Sequence, residues 1–305
     1  MKNETKKSHI VPKHYLARFA GGGEQVWVFD KKSMRTYRAN IRDVAQERSF
    51  YELSGDVYED TDPQALERYL SILESDYKAC VDLLLNNYQI DAYANSRTSL
   101  ARYVILQAVR SKEARIKLNH FFAADLDEII VRETDRMDPS KPISKEWLTF
   151  MKGVPDATKQ SLFLHPAILQ QFAEKLSTFI WCIGTNGHKE HSLYTSDNPV
   201  VASRSARHGQ RGLGQGLDTY GIEMLLPLSP TAVLWLFEPK CFTSKRGLDG
   251  TIIRLTKADV KKSNTLQISN ALRQVFSPHD NLGFAKSYCT QFPEVCDLNR
   301  FKKYL

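Results

Sequence analysis

No run of uncharged apolar residues in this chain approaches the roughly 20 needed to cross a bilayer. The charged start, MKNETKK, has no apolar core behind it, so a secretory signal is not expected either. Cysteine is scarce. The five present, Cys80, Cys182, Cys241, Cys289 and Cys296, are odd in number and dispersed, and no two stand at zinc-knuckle spacing. A reduced and buried state is expected for all of them, although Cys289 and Cys296 are near enough to meet in space. Internal repeats, long low-complexity segments, a serine-hydrolase elbow and a zinc-protease helix motif are all missing. These absences leave a cytoplasmic globular protein and remove several common chemistries.

What is present is ordinary for such a protein: 305 residues, 42% hydrophobic and 25% charged. A single domain over 1–305 is expected. The formal charge of +7, from 42 basic and 35 acidic residues, suits a polyanionic partner such as nucleic acid. Scattered surface lysines would explain the same excess.

Along the chain, HIVPKHYLARF reads as an entrance followed by a short helix with Tyr15, Leu16 and Phe19 at helical spacing. QVWVFDKKSMRTYRA then alternates as a β-hairpin, and SFYEL (49–53) suggests a further short strand. This N-terminal section covers 8–60. A helical section, 61–180, opens at Asp62–Pro63, an N-cap followed by proline at the first helical position. Its first helix carries the stripe Leu66, Tyr69, Leu70, Leu73, Tyr77, Val81 and Leu84. One long second helix is expected to share Leu100, Tyr103, Val104, Ala114, Leu118, Phe121 and Phe122. Residues 135–160 read as a connecting loop with one short helix. A third helix from Pro166 passes into a strand near 179–183. From 181 to 280 the pattern is a mixed or antiparallel sheet closed by a helix through KADVKKSNTLQISNALRQVFS, with 281–305 as a tail. Segregated helices and strands define an α+β fold, not an alternating nucleotide-binding sheet.

The ordered set HIVPKHYLARF, VWVFDK, FYEL, LERYLSILE, LQAVRSKEAR, YTSDNPVV, LPLSP and SNTLQISNALRQVF resembles a bacterial family, the domain of unknown function 4238. The resemblance spans roughly residues 8–280, with HIVPKHYL and SDNPV as its most specific parts. It implies no established activity. Some members are associated with conflict between bacteria and mobile elements, which implies a role in defence or as a toxin.

Several residues invite chemistry. In SDNPV, Asp197 stands at a strand end as a general base or metal ligand, and Asn198 as a donor to a substrate oxygen. Both types also turn or cap backbone there. Gln107 lies within an apolar helical face, where a buried amide must find partners. Arg110, one turn on, can clasp an anionic phosphate or form an ion pair. Glu67 and Glu74, seven apart, border one helical stripe and can hold a divalent ion, Mg or Mn, if a third acid such as Asp197 joins them. They are equally what a solvated helix flank looks like. His9 suits acid–base work, whereas His14 is expected to be exposed. The segment RSARHGQRGLGQG offers Arg204, Arg207 and Arg211 to a nucleic-acid backbone. The Arg115–His120 spacing resembles a ribonuclease motif, but Ile116 stands where that motif favours a polar residue.

These residues point to a phosphodiester hydrolase of nuclease type, with His9, Asp197 and Asn198 catalytic. Arg110, Gln107 and the basic segment would bind a nucleic acid or nucleotide. The alternatives are a non-catalytic nucleotide or nucleic-acid binding module, or a structural or sensor subunit.

Overall fold

The computed structural model describes residues 7–51, 65–91, 96–123, 131, 144–188, 190–204, 216–298 and 300. In chain order the N-terminal elements are β1 (Lys7–His9), α1 (Lys13–Ala17), β2 (Gln25–Asp30), β3 (Arg35–Asn40) and β4 (Gln46–Arg48). Helices follow: α2 (Ala65–Asn87), α3 (Ser96–Val109), α4 (Lys112–Ala123), α5 (Lys145–Gly153), α6 (Asp156–Phe163) and α7 (Pro166–Ser177). The last part holds β5 (Ile180–Thr185), β6 (Thr195–Ser196), β7 (Val201–Arg204), β8 (Ile222–Ser229), β9 (Ala232–Phe237) and β10 (Thr251–Arg254). It ends with α8 (Lys257–Asn270), β11 (Gln274–Ser277) and α9 (Gly283–Gln291). The protein is α+β, with helices and strands segregated as the pattern implied.

The central sheet runs β10-β5-β9-β8-β7, with β10 parallel to β5 and the other pairs antiparallel. β9 is buried along its whole length and β8 along nearly all of it, because both faces are covered. Met224, Leu226, Leu234 and Leu236 pack with α3 and α7 residues such as Val104 and Ala173. The alternate residues Leu225, Val233, Trp235 and Phe237 meet Leu255 and Val260 at the start of α8 on the other face. Each such aliphatic side chain contributes roughly 1.5–3 kcal/mol. Gly184 is required in β5: a Cβ there would stand 2.5 Å from Leu255 Cδ2 and 2.9 Å from Val233 Cγ1.

A second sheet, β3-β2-β11-β6, joins the N-terminal hairpin to the C-terminal part. Its hairpin turn is held by Asp30, whose Oδ1 accepts from the Lys32 and Ser33 amides. A two-stranded sheet pairs β1 with β4, setting His9 opposite Gln46. Tyr15 of α1 donates its hydroxyl to the Pro227 carbonyl at 2.5 Å and meets Thr195 Oγ1 at 2.7 Å. The N-terminus is thereby nailed to both larger sheets.

Five expectations are corrected. Of the strand expected over 49–53, residues 49–51 form a turn and 52–53 lie outside the described residues; the strand here is β4 at Gln46–Arg48, bounded by left-handed φ values of 48° at Ala45 and 49° at Ser49. The long second helix is two helices, α3 and α4. Arg110 is drawn sideways into polar contacts, and Ser111 Oγ restarts the helix by accepting from the Ala114 amide. Of 135–160, the described part, 144–160, holds α5 and the start of α6 where one short helix was expected. The closing helix stops at Asn270, and Gln274–Ser277 pairs as β11 instead of extending it. The segment beyond 280 is no mere tail: α9 packs Ala285 and Cys289 against Ile268 and Val275. Asp62 lies outside the described residues.

Candidate functional site: a polar cleft at the N-terminal helices

β1, α1, the turn after β4, α2 and the end of α3 meet around a cleft of about 360 Å³. Its walls are His9, Lys13, His14, Tyr51, Glu67, Leu70, Ser71, Glu74 and Arg110. Four sequence-flagged residues, His9, Glu67, Glu74 and Arg110, therefore share one site. They reach it from three separate elements, which no local pattern connects.

Arg110 is the centre of this arrangement and is almost wholly buried. Its Nη1 donates to Glu74 Oε1 at 2.5 Å, its Nη2 to the His9 carbonyl at 2.7 Å, and its Nε to the Tyr51 hydroxyl at 3.3 Å. Tyr51 returns a bond from its hydroxyl to the Arg110 carbonyl at 2.9 Å. Burial works against the guanidinium charge, but Tyr51 and Glu74 outweigh it and hold the proton more firmly than usual. Arg110 thus fixes the relative positions of β1, α2 and α3 while its edge faces the cleft.

The histidines are neutral bases near pH 7. Burial, then the charges of Lys13 and Arg110, brings His9 down to about 4. Burial and the charges of Arg18 and Arg110 bring His14 to about 4 as well. Both Nε2 atoms are buried and lack a hydrogen-bond partner. His14 is half-buried, not exposed as its place in the sequence suggested. The signal for it was available: His14 and Arg18 are one turn apart on α1, flanking the buried Tyr15, Leu16 and Phe19. Lys13 and Tyr51 were missed altogether, since nothing in their local sequence marks them.

Asp197 and Asn198 line no part of this cleft. Asp197 accepts from the backbone amides of Leu272, Arg273 and Gln274 at 2.9, 2.8 and 2.9 Å. Burial nevertheless keeps its carboxyl above the ordinary range. Asn198 Nδ2 donates to Glu113 Oε2 at 2.5 Å, and Ser196 Oγ to Gln267 Oε1 at 2.7 Å. Gln267 Nε2 donates to the Pro199 carbonyl, while Asn264 holds the Tyr194 amide and the Ser192 carbonyl. The buried side of α8 is accordingly polar, and the SDNP segment is fastened to it. Lys31, also buried, donates to the carbonyls of Ile268 and Ala271 at 2.7 Å each, capping the end of α8. What this cluster visibly does is hold the turn from α8 into β11.

The convergence of His9 with Asp197 expected from sequence is therefore absent from the cleft: three amides hold the acid at the α8–β11 turn. No group of three or more His, Cys, Asp or Glu side chains disposed to hold a metal is found among the described residues. Gln107 is buried on α3, and neither its Oε1 nor its Nε2 has a partner. Arg204 ends β7 and donates to the Tyr220 carbonyl at 3.2 Å. Arg207 and Arg211 lie outside the described residues. Arg115 is committed elsewhere, to the Phe50 carbonyl and Gln160, with its guanidinium 3.5 Å from the Phe50 ring centroid. No helix among the described residues is long and apolar enough to cross a membrane.

The architecture is thus that of an α+β protein with a polar cleft where β1 and α1 meet α2 and the end of α3. The chain belongs to the family described as protein of unknown function DUF4238, whose model matches residues 7–281. No curated protein and no solved structure matches the chain.

Proposed function

We propose that this protein is a cytoplasmic phosphodiester hydrolase of nuclease type that works from the N-terminal cleft. The observation that carries the reading is the gathering of two neutral histidines, two glutamates, Lys13 and the fixed Arg110 around one cavity. Its volume is near the lower end of the ~300–1,000 Å³ usual for ligand sites. It suits one nucleotide unit of a single strand more than a duplex. Lys13, with the buried Arg110 guanidinium in the cleft wall behind it, supplies positive charge for a phosphate. His9 takes a proton from water, the water oxygen attacks phosphorus, and the phosphorus–oxygen bond to the leaving group breaks. The leaving oxygen is reprotonated from solvent or from the histidine that took the proton. Glu67 and Glu74 are the carboxylates available to a divalent ion, Mg or Mn, if one takes part. Arg204, with Arg207 and Arg211, would offer a separate basic contact to a nucleic-acid backbone.

The test is cleavage of labelled DNA and RNA with Mg²⁺, Mn²⁺ or EDTA, comparing wild type with His9→Gln. Cleavage that is lost in the variant while its thermal midpoint holds supports the reading. Salt-sensitive binding without cleavage by any preparation would replace it with the non-catalytic binding module. The close Arg110–Glu74 pair favours the remaining alternative, a structural or sensor subunit, because it already satisfies the guanidinium within the fold. A role in bacterial defence remains part of the proposal.

A further inference from the structure

Far from the cleft, two of the five unbridged cysteines meet. Cys289 on α9 is 2% exposed and sits in the small core of Ile268, Ala271, Val275 and Ala285. Cys296 ends a short 3₁₀ turn, Pro293–Cys296, is half-buried and packs against the same core. The two thiols stand within hydrogen-bonding reach of each other. They are seven positions apart, and the turn that Pro293 opens folds back on α9 to bring them together.

The surrounding structure holds both cysteines in place. α9 is seated on α8, where Ser269 Oγ donates to the Tyr288 hydroxyl at 3.2 Å, and the Tyr288 ring lies 4.8 Å from that of Phe292. Beyond Cys296 the chain is pinned by Arg300, which donates to the Asp297 carbonyl at 2.8 Å and to the Ala271 carbonyl at the end of α8. Lys31 donates to that same Ala271 carbonyl at 2.7 Å. The charges of Lys31 and Arg300 therefore bear on the pair and favour a thiolate. At Cys289, burial and then the adjoining thiol outweigh them and push its thiol up to about 12, so it stays protonated. Cys296 is the more open of the two and the one a small oxidant can reach.

We propose that Cys289 and Cys296 form a redox-modification site, a dithiol that hydrogen peroxide converts into an intramolecular disulfide and that a small thiol such as glutathione reduces again. It is independent of the cleft and its chemistry. The Cys296 thiolate attacks one oxygen of the peroxide and the oxygen–oxygen bond breaks. The departing hydroxide takes up the proton that the thiol released and leaves as water, and Cys296 becomes a sulfenic acid. The Cys289 sulfur then attacks the Cys296 sulfur, the sulfur–oxygen bond breaks, and the hydroxyl leaves with the Cys289 proton as a second water. Two thiols have given up two electrons and the peroxide has gained them. The bridge fastens α9 to the segment that Arg300 ties to α8, closing the C-terminal core. In a reducing compartment such bonds are transient and serve redox sensing.

The experiment treats the full chain with hydrogen peroxide, blocks remaining thiols with N-ethylmaleimide under denaturing conditions, and cuts after glutamate, which separates the two cysteines at Glu294. In wild type the two peptides should remain joined until dithiothreitol is added, with the chain still a single polypeptide on a non-reducing gel. The oxidised protein should melt a few degrees above the reduced one. Cys289→Ala should leave a sulfenic acid at Cys296 that dimedone traps, whereas Cys296→Ala should leave Cys289 unmodified. Maleimide on both cysteines after peroxide, or a bridge to another cysteine or another chain, overturns the site. A Cys289–Cys296 bridge without a higher midpoint overturns the closure of the C-terminal core. Dimedone on Cys289 in Cys296→Ala overturns the order of attack. The wild-type peptides alone decide the bridge, whether or not a variant folds.

Discussion

Two polar regions of this protein carry conspicuous residues, and they differ in how far those residues are satisfied. Around the SDNP segment, Asp197, Ser196, Asn264 and Gln267 all have fixed partners, and the exceptions are Asn198 Oδ1 and Ser263 Oγ. Around the N-terminal cleft, two half-buried histidines and a fully buried glutamine nearby on α3 keep idle side-chain atoms. A buried polar group is costly unless paired. The first region has met that cost inside the fold. The second has left it open, as the proposed ligand site would require. Residue type alone does not separate structural polarity from functional polarity; satisfaction does.

The largest effect that would sharpen this contrast is at Asp197. Replacing it with alanine leaves three backbone amides without their acceptor, and the loss should reach about 3–4 kcal/mol, read as a lowered denaturant midpoint. Asp197→Ala with native stability would break the account of a structural clamp. Next comes Arg110, which serves both architecture and cleft. Arg110→Ala leaves Glu74, the His9 carbonyl and Tyr51 without their partner, and about 2–4 kcal/mol should go. Arg110→Lys keeps the charge but not the three-way fork, so a smaller loss is expected, with weakened phosphate binding.

A pH series reads the cleft more gently. The unfolded histidines titrate near 6.5, whereas His9 and His14 hold out to about 4 in the fold. Between those values the unfolded chain takes up protons that the folded chain refuses, so stability falls as pH drops from 6.5 toward 4. After allowing for solvent screening, the pair should account for about 1–2 kcal/mol. Exchanging both for glutamine should flatten that limb, and an unchanged profile would contradict their depressed proton affinity. The smallest effect is at Arg204. Arg204→Ala should shift stability by no more than about 0.5 kcal/mol. If β7's end contacts a nucleic-acid backbone, the slope of log affinity against log salt becomes shallower by about 0.7–0.9.

Much of the fold was legible because periodicity and punctuation are local. The hairpin 25–40 announced itself by alternation, α7 by His165–Pro166, and the passage into β5 by its aromatic and β-branched run. The break at Arg110 was hidden, since its cause is a pull from residues 36 and 101 positions away. The end of α8 was hidden for the same reason: its terminus is set by Asp197 and Lys31, both remote in sequence. For the candidate site, residue type singled out His9, Glu67, Glu74 and Arg110, which the fold brings to one cleft. It grouped them wrongly with Asp197, because an acid at a strand end reads alike whether it faces a substrate or three amides. Lys13 and Tyr51 became visible only when β1, β4 and α3 were brought together.

The measurement that most directly tests the central claim is phosphodiester cleavage by the full chain, single-stranded RNA and DNA being offered side by side. Wild type, His9→Gln and Arg204→Ala would be compared with folding monitored throughout. The account predicts cleavage that disappears with His9→Gln at an unchanged thermal midpoint and survives Arg204→Ala. Cleavage that persists undiminished in His9→Gln, or no cleavage by wild type under any metal condition, would contradict it.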